Sequence, residues 1–388
     1  MTGATRSVAA LLAAAALCLS AACGGGGTEP APDASPDGGA AATTAATEAT
    51  GELGPYGVGR RTVTVTDPAR DGRQLTVDLW YPTDTDDGEP STYEFVPGIA
   101  YDSETALAAP PVAGGGPFPL VIYSHGSGGV RFVASFHTEL LASHGFVVAA
   151  PDHAGNTIVE RFLGTTDPVE DIRRDRPADI SFVIDSLLDP TGDAAVDEVG
   201  AIVDPASIGV SGHSFGGFTA LAIAGGQGDL APDERVSAIV AMAPASSLLT
   251  DADLAGVDVP TMVVSGTDDI TTPIDDNTTR AAAAVAGRPL LRVDIEGAGH
   301  QSFTDVCDYT VLLRDLPDID PAIVEAVDAL AEEGCGPDFL PADEVQQIVN
   351  RYAVAFFLSE LAGDDGAAAV LTDEAAEADA DITFERSD

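Results

Sequence analysis

The chain has 388 residues, 45% of them hydrophobic, which is enough for one large globular domain or two ordinary ones. Its 63 acidic residues far outnumber its 17 basic residues, all of which are arginine, and the formal net charge is −46. Such a charge repels phosphate groups and argues against nucleic acid, an anionic membrane surface or a polyanionic substrate as a partner.

The N-terminal residues have the features of an export signal. Residues 1–22 combine one early arginine with an apolar Ala/Leu run that is short for a membrane span, which predicts a signal peptide. The sequence SAAC resembles a bacterial lipobox, although Ser20 stands where leucine is usual, so Cys23 is the expected lipidation site. The alternative is cleavage after Ala22 and free secretion. Residues 23–52, rich in Gly, Ala, Thr and Pro, predict a flexible tether.

Two cysteines follow Cys23 in the sequence, Cys307 and Cys335. In an exported protein such a pair is expected to form a disulfide. Their separation, without histidines spaced beside them, is not typical of metal ligands, so we predict no metal site here.

Residues 53–362 alternate short apolar runs with longer amphipathic ones. The segments RTVTVTDP and QLTVDLWYP, joined by the turn ARDGR, predict an antiparallel hairpin. Strands buried on both faces, typical of a parallel sheet, are predicted by PLVIYSHG, FVVAAPDH, SIGVSGHS, VSAIVAMAP, VPTMVVSG and PLLRVDIEG. Helices are predicted by FHTELLASHG, RPADISFVIDSLLD and FTALAIAGG. We therefore expect an α/β domain with a mostly parallel, eight-stranded sheet and helices on both faces.

Two longer segments interrupt this alternation, residues 83–116 and residues 155–176. Ligands of such sheets bind beyond the carboxyl ends of the strands, so segments that emerge there are expected to shape a pocket. Residues 155–176 are a candidate lid. Residues 363–388 are acidic and rich in alanine, which predicts a loosely ordered tail.

The sequence GVSGHSFGG places one serine between glycines, after a predicted strand and before a predicted helix. Gly-x-Ser-x-Gly in this setting is typical of a nucleophile elbow. Gly212 and Gly216 would let the strand and the helix approach closely, while Ser214 takes a strained conformation that exposes its Oγ. The N-terminus of the helix favours negative charge developing there. Ser214 is the predicted nucleophile.

The triad partners of such a serine follow it in the order acid, then histidine. His300, in the glycine-rich loop IEGAGHQSF, is the only histidine after Ser214, which makes it the predicted general base. The acid should follow the strand VPTMVVSG. Asp269, four residues before Pro273, is favoured, and Asp268 is the alternative.

Acyl transfer also needs backbone N–H groups aimed at the oxyanion. We predict those of Phe215, which follows the nucleophile, and of Ser127, in the loop YSHGSGG. His125 and His213 are expected to support this loop and the elbow, and His153 is expected at the rim of the pocket.

Several of these segments resemble a known group of α/β-hydrolases, the predicted dienelactone hydrolases and the related type II platelet-activating-factor acetylhydrolases. The resemblance covers residues 60–361 and rests on VDLWYP, FPLVIYSHGSGG, LASHGFVVAAPDHAGNT, RPADISFVIDSLL, GHSFGGFTALAIAGG and GAGHQSFTDVC. It implies the α/β-hydrolase fold and carboxylic ester substrates. Dienelactone hydrolases use cysteine where this chain has Ser214. Eukaryotic acetylhydrolases take their acid from the preceding loop, here AMAPASS without a carboxylate, so the acid falls to Asp269.

The sequence thus predicts a serine esterase that cleaves lipid-type or short-acyl esters through an acyl-enzyme. No cofactor is expected, and the only expected membrane contact is the lipid anchor at Cys23 of an exported protein. The alternatives are a non-catalytic binding lipoprotein on the same fold, a polyester hydrolase, or a peptidase with the same triad. The oligomeric state stays open.

Overall fold

The computed structural model describes residues 50–96, 98–316 and 319–388. The predicted signal peptide, the predicted lipidation site Cys23 and the predicted tether up to residue 49 lie outside the described residues. Within the described ranges, no helix is both long and apolar enough to cross a membrane.

A mixed sheet of eleven strands forms the centre of the described domain. Its strands are β1 (Gly57–Asp67), β2 (Arg73–Thr83), β3 (Pro90–Val96), β4 (Ile99–Ala108), β5 (Phe118–Ser124), β6 (Val147–Pro151), β7 (Val203–His213), β8 (Val236–Met242), β9 (Thr261–Gly266), β10 (Leu290–Ile295) and β11 (Ile382–Ser387). They lie in the order β11-β10-β9-β8-β7-β5-β6-β2-β1-β4-β3. The run from β10 to β6 is entirely parallel, and antiparallel pairings occur only outside it.

The helices lie between these strands along the chain. They are α1 (Ser135–Ser143), α2 (Ile158–Leu163), α3 (Val169–Leu188), α4 (Ala194–Gly200), α5 (Phe215–Gly225), α6 (Asp251–Ala255), α7 (Arg280–Ala284), α8 (Val306–Asp315), α9 (Pro321–Ala331), α10 (Ala342–Ala362), α11 (Asp365–Ala368) and α12 (Asp373–Ala376). The predicted fold class, a mostly parallel sheet with helices on both faces, is confirmed.

Side-chain alternation along the central strands builds one core on each face of the sheet. In β5, Val121 and Tyr123 point into one core, and Leu120 and Ile122 point into the other. Helices α1 and α10 supply the first core, whereas α3 and α5 supply the second. Burial on both faces explains why the parallel strands read as continuous apolar runs.

The expected strand number of eight is wrong, because three strands lack a continuous apolar run. The predicted β1–β2 hairpin is confirmed. Segment 83–116 adds the hairpin of β3 and β4, with β4 parallel to β1, and the C-terminal segment adds β11 beside β10. β3 and β11 are the two edge strands, and β4 lies next to β3. In all three strands polar residues alternate with apolar ones, because part of each strand faces solvent.

Residues 363–388 are folded onto the domain, and the expectation of a loosely ordered tail is wrong. Val370 and Leu371 are buried in the same core as α10. Tyr352 of α10 donates a hydrogen bond of 2.6 Å to the carboxylate of Asp379. The few apolar residues of this acidic segment show no periodicity in the sequence, yet they suffice to seal the end of the core.

Asp305 connects the region after β10 to the start of α1. Its buried carboxylate accepts hydrogen bonds from the backbone N–H and from the Oγ of Ser135, at 2.7 and 2.6 Å. Burial raises the pKa of Asp305 to about 8, and the carboxylates of Asp308 and Glu139 add to the shift, although the bonds from Ser135 oppose it. Asp305 therefore keeps its proton to a higher pH than an exposed carboxyl group does.

The Asp305→Asn variant should alter how stability depends on pH. The pKa of Asp305 in the folded state lies above the unfolded value of about 3.9. The contribution of protonated Asp305 to the free energy of unfolding is therefore fully present below about pH 4 and declines as pH rises towards about 8. Urea unfolding should show the variant gaining stability relative to the wild type between about pH 5 and about pH 8.5. A difference that is the same at both pH values would contradict this assignment.

Candidate active site

The turn between β7 and α5 has the geometry of a nucleophile elbow. Ser214 has a φ of +58°, a region that costs a non-glycine residue about 1–3 kcal/mol. A Cβ atom at Gly216 would overlap the carbonyl oxygen of Ser124, and one at Gly212 would overlap the carbonyl group of Gly216. The strained serine is held by its backbone N–H, which donates to the carbonyl oxygen of Met242 at 2.9 Å.

The structure brings Ser214, His300 and Asp269 into one hydrogen-bonded line. The Oγ of Ser214 lies 2.9 Å from Nε2 of His300, and Nδ1 of His300 lies 2.8 Å from Oδ2 of Asp269. Ser214 is partly exposed, whereas His300 and Asp269 are buried. With the ring proton on Nδ1 facing the carboxylate, Nε2 is free to accept the serine proton, as a general base must.

Asp269, rather than Asp268, is the carboxylate that meets the histidine. Its Oδ1 accepts from the backbone N–H groups of Thr271 and Thr272, at 2.9 and 2.7 Å. Burial alone would raise the pKa of Asp269, but the bonds from His300 and Thr272 lower it below its usual range. Asp268 is exposed. The roles of Thr271 and Thr272 were not predicted from the sequence. The pattern that could have indicated them is a turn in which an aspartate side chain accepts from the backbone N–H groups two and three residues later.

His213 holds the backbone of the base, His300, by a hydrogen bond. Its Nε2–H donates to the carbonyl oxygen of His300 at 2.9 Å, and the two rings lie 4.6 Å apart. Burial, together with the nearby His300, lowers the pKa of His213 to about 3. His213 is therefore a neutral structural donor, in agreement with its expected position beneath the elbow.

The two predicted oxyanion donors are Ser127 and Phe215. Ser127 lies beside Ser214 in the lining of the same pocket, and Phe215 begins α5 directly after the nucleophile. Within the described chain, neither backbone N–H donates to a protein acceptor, so both are free to bind a ligand oxygen. The side-chain amide of Asn156 donates to the Oγ of Ser127 at 3.2 Å and anchors the loop.

His125 holds this loop from inside the protein. Its Nε2 accepts from the backbone N–H of His153 at 3.2 Å, which leaves the ring proton on Nδ1 to be donated to the carbonyl oxygen of Gly126 at 2.7 Å. Burial, with Arg176 nearby, lowers the pKa of His125 well below its usual range. The residue is fully buried and neutral, consistent with the expected structural role.

His153 does not lie at the rim of the pocket, and that expectation is wrong. Its Nε2 lies 2.9 Å from the Oγ of Ser124 and its Nδ1 lies 3.0 Å from Oδ2 of Asp179, so a second Ser-His-Asp line exists. All three residues are completely buried. Without access to solvent, this second line cannot meet a substrate.

Access, rather than hydrogen bonding, should therefore decide which serine reacts. A fluorophosphonate probe should label Ser214 in the wild type and in the Ser124→Ala variant. Labelling should vanish in Ser214→Ala, and peptide mass mapping locates the modified residue. Labelling of Ser124 would contradict the account.

A pocket of about 360 Å³ opens above Ser214 and His300. Both long segments help to line it, Phe95 from β3 and Ile158 and Arg161 from α2. The sequence did not point to its remaining wall, which comes from α8 and α9 and is mostly apolar, with Val306, Tyr309, Leu313, Val327, Ala329 and Leu330. Motion of residues 155–176 as a lid stays a prediction. Among the described residues, no three His, Cys, Asp or Glu side chains are grouped to hold a metal ion.

Cys307 and Cys335 form a disulfide that closes the helical hairpin of α8 and α9. The chain just before Cys335 also contacts the loop of the base. The backbone N–H of Gln301 donates to the carbonyl oxygen of Glu333 at 2.8 Å. The Oγ of Ser302 donates to the carbonyl oxygen of Gly334 at 3.1 Å. The disulfide thus secures one wall of the pocket and the loop that carries His300.

The Cys307→Ser variant should lose stability. A loop of this length, with a separation of 28 residues, predicts a loss of about 2–4 kcal/mol in the free energy of unfolding. Chemical unfolding measures this loss, and ester kinetics below the transition should show a raised KM with most of kcat retained. An unchanged unfolding free energy would contradict the structural role of the bond.

Comparison with known proteins bears on the fold and the family. Residues 102–167 match the family described as platelet-activating factor acetylhydrolase, isoform II. No curated protein matches the chain. Among solved structures, ferulic acid esterase from Streptomyces cinnamoneus is similar, with a TM-score of 0.64, 24% identity, and coverage of 85% of this chain and 96% of that one. The resemblance predicted from the sequence is thus confirmed: the chain has the α/β-hydrolase fold and is similar to esterases of that fold.

Proposed function

We propose that the chain is a carboxylic ester hydrolase in which Ser214 is the nucleophile. The hydrogen-bonded line from Ser214 through His300 to Asp269, at the floor of an open pocket, carries this proposal. As Ser214 Oγ attacks the ester carbonyl, His300 Nε2 takes its proton. The carboxylate of Asp269 then stabilises the imidazolium and keeps the ring oriented.

The tetrahedral intermediate places negative charge on the former carbonyl oxygen. The backbone N–H groups of Ser127 and Phe215 bind that oxyanion, a contribution of about a hundred- to a thousandfold in rate for each donor. His300 next gives its proton to the leaving alcohol, and the acyl group stays on Ser214. Water, deprotonated by His300, then releases the acid and restores the serine.

The pocket favours an uncharged acyl group of moderate size. Its volume of about 360 Å³ lies at the small end of ligand pockets, and most of its wall is apolar. Esters are favoured over amides by the family similarity. Short or medium aliphatic acyl groups fit this space, and so do aromatic ones of the kind that the name of the similar ferulic acid esterase implies.

The enzyme is proposed to work outside the cytoplasm without a cofactor, as a lipoprotein anchored through Cys23 or as a secreted protein. The disulfide between Cys307 and Cys335 supports an oxidising compartment. The strongly acidic composition leaves the lipid anchor as the only proposed contact with a membrane.

A panel of esters tests the proposed activity and its acyl preference. Initial rates are measured with p-nitrophenyl acetate, butyrate, octanoate and palmitate and with methyl ferulate. We expect turnover of the shorter and the aromatic esters and little turnover of palmitate. Ser214→Ala and His300→Ala should each lower kcat by about four orders of magnitude or more. Full activity in Ser214→Ala would contradict the proposal.

The neighbouring carboxylates offer a matched pair of variants. Asp269→Asn should lower kcat by about four orders of magnitude, because the amide presents a donor where Nδ1–H of His300 needs an acceptor. Asp268→Asn removes a similar charge one residue away and should leave kcat within about twofold. Equal losses in the two variants would contradict the assignment of the acid.

A further inference from the structure

Arg176 of α3 is a buried cation that forms no salt bridge with any described residue. The residue is 1% exposed, and in the described part of the chain no carboxylate forms a salt bridge with it. Its Nη2 instead donates to the carbonyl oxygen of His125 at 2.7 Å and to that of Gly126 at 3.3 Å, and it lies 3.0 Å from Nδ1 of His125. Nε and Nη1 have no protein acceptor among the described residues. Burying a charged group that has no ion pair and two unpaired nitrogens costs free energy. The burial of Arg176 therefore requires an explanation.

The carbonyl of Gly126 and the N–H of Ser127 are two ends of the same peptide group. Arg176 and the Nδ1–H of His125 both donate to its oxygen end. A charged donor at a carbonyl oxygen draws electron density from the amide and strengthens its N–H as a donor. The same bonds fix the plane of the peptide, and with it the direction of the Ser127 N–H.

The guanidinium also contacts the residue that carries the second oxyanion donor. Its Cζ lies 5.1 Å from the centre of the Phe215 ring, a cation–π distance. A single side chain therefore contacts the loop of Ser127 on one side and Phe215 on the other.

Asp179, the carboxylate whose charge acts on Arg176, is hydrogen-bonded to other side chains. Asp179, three residues further along α3, accepts from Arg70, Arg73 and His153. Although burial opposes it, the bonds from His153 and Arg73 hold the pKa of Asp179 well below its usual range. Burial lowers the pKa of Arg176 to about 9, partly offset by Asp179, so the guanidinium stays charged at neutral pH.

We propose that Arg176 is a positioning residue of the oxyanion hole, which orients and polarises the Gly126–Ser127 peptide and braces Phe215 so that both N–H groups meet the developing oxyanion. The residue acts through the backbone and does not touch the substrate. This inference rests on the proposed ester hydrolysis.

The test compares Arg176→Met and Arg176→Lys with a control on the same helix. Arg173 donates to the carbonyl oxygen of Leu248 at 2.7 Å, and its Cζ lies 5.8 Å from the Phe218 ring, so Arg173→Met removes similar contacts away from the oxyanion loop. The readouts are kcat and KM for p-nitrophenyl butyrate and the affinity of an alkylboronic acid. Its adduct with Ser214 places an oxygen where the oxyanion forms.

In Arg176→Met we expect kcat to fall about ten- to a hundredfold with KM within about twofold, less than the loss from deleting an oxyanion donor outright. Boronate affinity should fall by a similar factor, because the tetrahedral adduct depends on the same donors. Arg176→Lys, which keeps the charge, should recover part of the kcat and part of the boronate affinity. Arg173→Met should keep kcat and boronate affinity within about twofold of the wild type.

A folded Arg176→Met variant with wild-type kcat would overturn the inference, and so would a loss of kcat without a loss of boronate affinity. Circular dichroism and thermal unfolding report the fold, and Arg176→Gln, which is also neutral, carries the same test if the methionine variant does not fold. A wild type that is inactive and does not react with the fluorophosphonate probe would instead refute the proposed function.

Discussion

The close approach of α5 to the end of β5 is the constraint on which the site depends. At Gly216 the backbone of α5 meets the carbonyl oxygen of Ser124 with no space for a Cβ atom between them. The end of β5 leads directly into the loop of Ser127, and the start of α5 carries Ser214 and Phe215. One steric contact therefore brings the nucleophile and both oxyanion donors to the same edge of the sheet.

Burial assigns different roles to histidines that are chemically alike. His125, His153 and His213 lie inside the protein, where desolvation lowers the pKa of each and keeps the ring neutral. These rings act as rigid hydrogen-bonding supports for the loop, the sheet and the base. His300 is the one whose Nε2 meets a serine at an open pocket. The same difference in access separates Ser214 from the buried Ser124.

The residues that could be predicted from the sequence are those with a local signature or a required chain order. The elbow around Ser214 has such a signature, and the order of the motif pointed to Asp269 and His300. The central parallel strands could be predicted because burial on both faces makes them uniformly apolar.

Other features depend on contacts that only the folded chain brings together. Strands β3, β4 and β11, which lie at or next to the edges of the sheet, are only partly buried, so they show no apolar run. In the sequence, Arg176 is one charged residue of a predicted amphipathic helix. No local sequence pattern indicates that its side chain reaches the carbonyl groups of the oxyanion loop. The wall formed by α8 and α9 depends on a disulfide across a separation of 28 residues.

The measurement that tests the central claim most directly is identification of the acyl-enzyme. The wild type is mixed with p-nitrophenyl butyrate, quenched in acid during turnover and digested, and the peptides are sequenced by mass spectrometry. We expect a butyryl group on Ser214 and on no other residue. Turnover with a butyryl group on another residue, or with no acyl-enzyme at any quench time, would contradict it.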